Sequence, residues 1–127
     1  MILLDSQTAL WVLDDSPRLG ESARTRIGDS AEVYVSVATV WELTIKSMLG
    51  KLSVPADFGA LVEAEGLRLL NVEAEHAEGI REFPELLRHD PFDRLLIAQA
   101  RVEQLLFLTS DRVLLDLDRD FIVDSTV

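Results

Sequence analysis

Ile2-Leu3-Leu4-Asp5, at the start of the sequence, and Leu105-Leu106-Phe107-Leu108-Thr109-Ser110-Asp111, near its end, are short apolar runs that each reach an aspartate. Runs of this length without polar alternation mark strands buried on both faces, as in a parallel sheet. If both strands lie in one parallel sheet, both acids emerge on its carboxyl edge, where open α/β folds bind ligands. Working outward, two more acids, Glu42 and Asp93, stand near the starts of helical segments that can face that edge. Four carboxylates around one hollow call for a divalent cation.

The segments between these runs alternate in type. The sequence predicts a strand over Met1–Asp5 and a short helix over Ser6–Asp14. A second helix is expected to open at Ser16-Pro17-Arg18-Leu19 and run to about Ile27, since proline is tolerated in a first helical turn. Val33-Tyr34-Val35-Ser36 is β-branched and aromatic, hence strand. Thr39–Leu49 reads as helix with Gly50 as its stop. Helix is expected again over Pro55–Ala64, ended by Gly66, then strand over Leu67–Val72 and helix over Glu73–Phe83, stopped by Pro84. Pro91–Gln104 is the clearest helix, Leu105–Leu108 a strand, Arg112–Asp116 a helical turn and Phe121-Ile122-Val123 a last strand. Strands alternating with helices imply parallel βαβ units. No linker, repeat or low-complexity tract divides the sequence, so residues 1–127 read as one domain.

Composition narrows the class. At 127 residues, one proper core is within reach. No stretch approaches the roughly 20 apolar residues of a membrane span. The N-terminus lacks a basic leader region, and Asp5 would interrupt an apolar one. With no cysteine, disulfides, cysteine catalysis and thiolate zinc sites are excluded together, and a cytoplasmic setting is expected. The formal charge of −11 is unusual for a nucleic-acid binder, but a sum does not say where charges sit. Arginine dominates the cations, with Lys46 and Lys51 as the lysines, which leaves planar phosphate-binding groups available.

Each acid has a structural alternative. Asp5 can cap the helix beginning at Ser6, a role worth about 1 kcal/mol over alanine. Thr39-Val40-Trp41-Glu42 spells a capping box, and Glu42 with Lys46 is an i,i+4 ion pair of favourable polarity. Yet Glu42 is surrounded by Val37, Val40, Trp41, Leu43 and Ile45, company unlike that of a solvated-face glutamate. In His89-Asp90-Pro91-Phe92-Asp93-Arg94, Asp90 reads as the cap. Asp93 then heads an apolar stripe through Leu96, Ile97 and Ala100, so it points along the core-facing side, and a buried carboxylate needs a partner or a metal. Asp111 reads equally as a turn or cap residue.

The joint case is stronger than any single acid. Two like charges 4 Å apart repel by about 4 kcal/mol at an effective dielectric near 20. Clustered carboxylates without a cation therefore raise their own pKa values or strain the fold. Hard divalent cations relieve this, and a metal so held can activate water for phosphodiester hydrolysis.

At this point the blocks Leu3-Leu4-Asp5-Ser6, Ser36 to Lys46 with Trp41-Glu42, Asp90-Pro91-Phe92-Asp93-Arg94 and Leu108-Thr109-Ser110-Asp111 resemble, in order and spacing, the PIN-domain ribonucleases. Within that family the chain looks most like the VapC-type toxins of bacterial toxin–antitoxin pairs. The resemblance spans nearly the whole sequence. It implies a PIN-like three-layer α/β fold, with a central parallel sheet of about five strands flanked by helices. It implies Asp5, Glu42, Asp93 and Asp111 as catalytic and metal-binding acids for Mg²⁺ or Mn²⁺, with Ser6 and Thr109 as supporting hydroxyls. RNA as substrate, a small antitoxin as partner, and homodimerisation follow from the same resemblance. The chain departs from the pattern at Gln7, in the order Arg88-His89, and after Asp111, where Asp118-Arg119-Asp120 replaces an expected Tyr-Gly turn.

Remaining features are ambiguous or bland. Arg94 pairs with Asp90 at i,i+4 or supports the site by touching phosphate. Trp11 and Trp41 read as core or dimer-interface aromatics, His76 and His89 as surface residues. Two other functions compete. A phosphoacceptor domain would bind Mg²⁺ but needs a lysine after a late strand, and none follows Lys51. A catalytically silent PIN-like binding domain would keep the acids for structure alone.

Overall fold

The computed structural model describes residues 1–127. Strands β1 (Ile2–Leu4), β2 (Val33–Ser36), β3 (Arg68–Leu70), β4 (Leu106–Thr109) and β5 (Ile122–Asp124) form one sheet in the order β3-β2-β1-β4-β5. Every pairing is parallel, with Leu4 level with Val35 on one side and Leu108 on the other. Side chains alternate across a strand, and here both faces find a core. Ile2, Leu4, Val33, Val35 and Leu108 pack to one side with Ala9, Ala23, Leu43, Phe58 and Val62. Leu3 and Phe107 pack to the other with Phe83, Leu86, Leu96, Ile97, Ala100 and Leu114. Burial on both faces is why these strands carry no polar alternation. The three-layer α/β fold is therefore as the sequence implied.

The helices are α1 (Ser6–Leu13), α2 (Glu21–Asp29), α3 (Val37–Met48), α4 (Phe58–Ala64), α5 (Ala74–Glu78), α6 (Pro91–Glu103) and α7 (Arg112–Leu115). Several boundaries differ from the sequence expectation: α4 begins at Phe58 rather than Pro55, β3 ends at Leu70 rather than Val72, and three others have a visible cause. α2 begins at Glu21 because Ser16 Oγ accepts the Arg18 amide and Arg24 donates to Asp15 and the Ser16 carbonyl, holding Pro17 in a turn. α3 begins earlier, capped by Ser36, whose Oγ accepts the Ala38 amide at 3.0 Å. Thr39 is then inside the helix and buried, so the capping box with Glu42 does not form. The helix expected over Glu73–Phe83 breaks after α5 into 3₁₀ turns at Gly79–Glu82 and Pro84–Leu86. Gly50 does end α3, in the left-handed conformation (φ 74°) that an L side chain resists. No helix is long and apolar enough to cross a membrane.

One topological fact positions the site. The chain winds from β1 outward to β3 and then returns to place β4 and β5 on the opposite side of β1. The direction of winding reverses between β1 and β4. The crevice outside the carboxyl ends of those two strands is where such sheets bind ligands. Asp5 follows β1 there, its amide donating to the Leu108 carbonyl at 3.0 Å, and Asp111 follows β4.

Candidate metal centre

A hollow of about 340 Å³ opens at this crevice, lined by Asp5, Ser6, Glu42, Lys46, Asp90, Asp93, Ser110 and Asp111 among others. All four acids singled out from the sequence line it. They come from four different elements, and each is held differently.

Asp5 does two jobs at once. Its Oδ1 caps α1 by accepting the Thr8 amide at 2.8 Å, and its Oδ2 accepts the Thr109 hydroxyl at 2.6 Å. Burial pushes its carboxyl above the ordinary range, while the bonds from Thr109, Thr8 and Ser110 pull the other way. Thr109 also accepts the Asp111 amide at 3.0 Å, so one hydroxyl on β4 ties the first and last acids together. Asp111 in turn caps α7 through the Val113 amide.

Glu42 is buried on α3, with its head fixed at both oxygens. Ser6 Oγ donates to Oε1 at 2.6 Å, and Lys46 Nζ pairs with Oε2 at 2.9 Å. Ser6 has a single proton and spends it on Glu42, so the 3.1 Å contact with Thr39 has the Thr39 hydroxyl as donor. Thr39, expected as a cap, instead anchors the serine that anchors Glu42. The Glu42–Lys46 pair anticipated from the i,i+4 spacing is present, and it raises the Lys46 pKa.

Asp93 sits in the first turn of α6. Asp90 is the N-cap, as expected, accepting the Phe92 and Asp93 amides at 2.8 and 3.2 Å. The stripe below Asp93 is buried at Leu96, Ile97 and Ala100, which turns its carboxylate inward. Its pKa is pushed up to about 7, first by burial and then by the charges of Asp90, Asp111 and Asp5. Burial together with neighbouring carboxylates holds this carboxyl up, a strain that a bound cation would relieve. The donor set is rich in hard carboxylate oxygen and holds no thiolate, which suits Mg²⁺ or Mn²⁺. Helices α1, α6 and α7 all begin at residues lining the hollow, and their positive ends offset part of the repulsion.

Several residues lie elsewhere than the sequence suggested. Arg94 does not pair with Asp90 or reach the acids; it donates to the Leu87 carbonyl at 3.0 Å beside Ile80, Phe83 and Pro84. Trp41 is 60% exposed and meets Phe92 edge-on, so it is no core residue. Trp11 packs half-buried against the core. Neither histidine is a plain surface residue. His76 is 1% exposed, accepting the Glu73 amide through Nδ1 and donating from Nε2 to Glu103. His89 meets two of the acids that line the hollow, with Nε2 3.2 Å from both Asp93 Oδ2 and Asp111 Oδ2. The sequence reading missed it, although its position four residues before Asp93 was a usable signal.

The fold agrees with comparisons to known proteins. In solved structures, the fold matches a toxin–antitoxin complex from Klebsiella pneumoniae at 12% identity and TM-score 0.67, covering 98% of both chains. It matches VapBC2 from Rickettsia felis bound to a promoter DNA fragment at 14% identity and TM-score 0.69, again over 98% of both chains. DNA-bound VapBC from Salmonella typhimurium matches at 23% identity and TM-score 0.66, covering 97% of this chain and 96% of that one. No curated protein sequence matches. The sequence model of the PIN domain matches residues 2–120, from the strand before Asp5 to beyond Asp111, and the chain belongs to the PIN domain family.

Proposed function

We propose that this chain is a metal-dependent endoribonuclease that serves as the toxin of a toxin–antitoxin pair. The observation that carries the reading is the convergence of Asp5, Glu42, Asp93 and Asp111 on one hollow at the reversal point of the sheet. These acids would hold Mg²⁺ or Mn²⁺. A divalent ion bound there supplies a Lewis acid for the phosphoryl oxygen and a water acidic enough to attack it.

The chain's own residues do the rest. Thr109 and Thr8 fix the Asp5 carboxylate, Ser6 and Lys46 fix that of Glu42, and the α6 cap at Asp90 sets the position of Asp93. Such fixation keeps acids from rearranging when charge develops at phosphorus. Lys46 brings a cation to a hollow otherwise lined by carboxylates and meets a phosphate as a point charge.

Toxin–antitoxin and VapBC assemblies among the similar structures support a small antitoxin as partner. Val37, Trp41 and Met48 leave an apolar stripe exposed along α3, which supports a homodimer. RNA cleavage by purified chain in Mn²⁺ tests the reading. Asp5→Asn and Asp93→Asn are expected to abolish cleavage and growth inhibition while keeping the fold, because asparagine caps α1 as well as aspartate does and Asp93 is not the cap of α6. Full activity in either variant refutes the assignment.

A further inference from the structure

Beside the hollow, one imidazole nitrogen meets two of its carboxylates. His89 Nε2 lies 3.2 Å from Asp93 Oδ2 and 3.2 Å from Asp111 Oδ2, and the three atoms all fall within 4.8 Å of one another. Both distances are long for a charge-assisted N–H···O bond, which settles at about 2.7–2.9 Å. Nε2 also carries at most one proton, so it cannot donate linearly to two carboxylates. Equal, long separations from one nitrogen to two oxygens suit a third atom shared by all three. Neighbouring ligands on a six-coordinate ion with bonds of about 2.1 Å stand about 3 Å apart, close to what is seen.

The ring is also held in place. The His89 amide donates to the Leu86 carbonyl at 2.9 Å, and the next residues, Asp90 and Pro91, are the cap and first position of α6. The backbone that carries the imidazole to Asp93 and Asp111 is therefore a fixed turn rather than a loose loop.

We propose that His89 is a direct ligand of the ion held by Asp93 and Asp111, and that its nitrogen biases the site toward Mn²⁺ over Mg²⁺. This rests on the metal-dependent reading above. Mg²⁺ takes oxygen ligands and keeps its waters, whereas imidazole favours transition metals. The bias is a property of this chain's turn and not of four carboxylates, which would hold either ion.

Pulsed electron paramagnetic resonance of the full chain loaded with Mn²⁺ tests it, at a pH where imidazole is neutral. His76 and His89 are the histidines of the sequence, and His76 is buried with both ring nitrogens engaged. Nitrogen modulation from a directly bound imidazole is expected in the wild type and in His76→Gln, and its loss in His89→Gln. The ratio of Mn²⁺ to Mg²⁺ affinity is expected to fall about tenfold or more in His89→Gln. Bound Mn²⁺ without imidazole modulation in the wild type overturns the proposal and leaves the nuclease reading standing. So does modulation that persists in His89→Gln. A wild type that binds no Mn²⁺ overturns both. The spectrum of the unmodified protein decides first, and the variants, checked for fold by circular dichroism, assign the nitrogen.

Discussion

The Asp93 carboxyl gives the sharpest physical test, because its prediction reverses with metal. In the folded chain its pKa is about 7, against an ordinary 3.8. An acid whose folded pKa is raised binds its proton more tightly in the native than in the unfolded state. Between those two values the unfolded chain has already released the proton and the native chain has not, so stability falls as pH rises. Below the ordinary value both states are protonated and there is no penalty; above about 7 the native state carries the whole of it. Three decades of proton affinity, at about 1.4 kcal/mol each, set a ceiling on the order of 4 kcal/mol. The burden is shared with Asp90, Asp111 and Asp5, and the side chain keeps 21% of its exposure, so half that ceiling is the better expectation for one substitution. Asp93→Asn, studied in chelator, should therefore be more stable than wild type by about 2 kcal/mol at about pH 8, roughly 8 °C in Tm, and equal to it at about pH 4. Saturating Mn²⁺ should reverse the order, because a ligand that binds only the native state stabilises it, by about 2.7 kcal/mol at a hundredfold excess over Kd. Thermal melts across this pH range, with and without metal, measure both arms. A gap that stays constant with pH refutes the crowding argument, and wild-type melts indifferent to millimolar Mn²⁺ refute the site.

Other substitutions probe the scaffold around the acids. Ser6→Ala removes the donor to Glu42 Oε1 and the acceptor for Thr39, and should lower stability by about 1–2 kcal/mol in urea denaturation. Gly20→Ala would put a Cβ 2.2 Å from the Val127 backbone, where Ala23 also donates to the Val127 carbonyl. It should cost about 1–3 kcal/mol and raise hydrogen exchange where Ser125 and Val127 dock on α2. His76→Leu strips the buried partner of the Glu73 amide and should destabilise by about 2 kcal/mol without changing Mn²⁺ affinity, as calorimetry would show.

What the sequence disclosed and what it withheld divide along a physical line. β1 and β4 were legible because burial on both faces writes itself as an uninterrupted apolar run. α6 was legible because Asp90 and Pro91 are a local start signal and the stripe below Asp93 is periodic. That Asp5, Glu42, Asp93 and Asp111 would share one hollow was expected from the resemblance and from two apolar strands that each reach an aspartate. The start of α3 was not legible, since Ser36 and Thr39 are both competent caps and only the burial of Thr39 against Ser6 decides between them. The late start of α2 depends on Arg24 reaching back to Asp15 and the Ser16 carbonyl, a contact no propensity encodes. The histidines failed for the same reason. Glu103 is distant from His76 in sequence, and Asp111 from His89, so of these contacts only the i+4 spacing of His89 to Asp93 could have been seen in advance.

The charge of −11 looks less contradictory once its distribution is considered. Asp5, Glu42, Asp90, Asp93 and Asp111 face one hollow with Lys46 as the cation among them, so much of the excess sits where an ion would be taken up. Arg24, Arg68, Arg101 and Arg119 are each paired with an acid elsewhere, and Arg94 is turned to the Leu87 carbonyl. Of the other arginines, Arg88 and Arg112 each stand one residue from a proposed ligand, His89 and Asp111. On the proposed reading, an RNA phosphate approaching the bare hollow meets net repulsion, which these two side chains and Lys46 oppose. A divalent ion in the hollow offsets part of that negative charge and sets a cation where a phosphate can meet it, within the Debye length of about 8 Å at physiological salt. Metal would then be needed to admit the polyanion as well as to cut it, which ties substrate affinity to metal concentration in a way a basic-faced nuclease would not show.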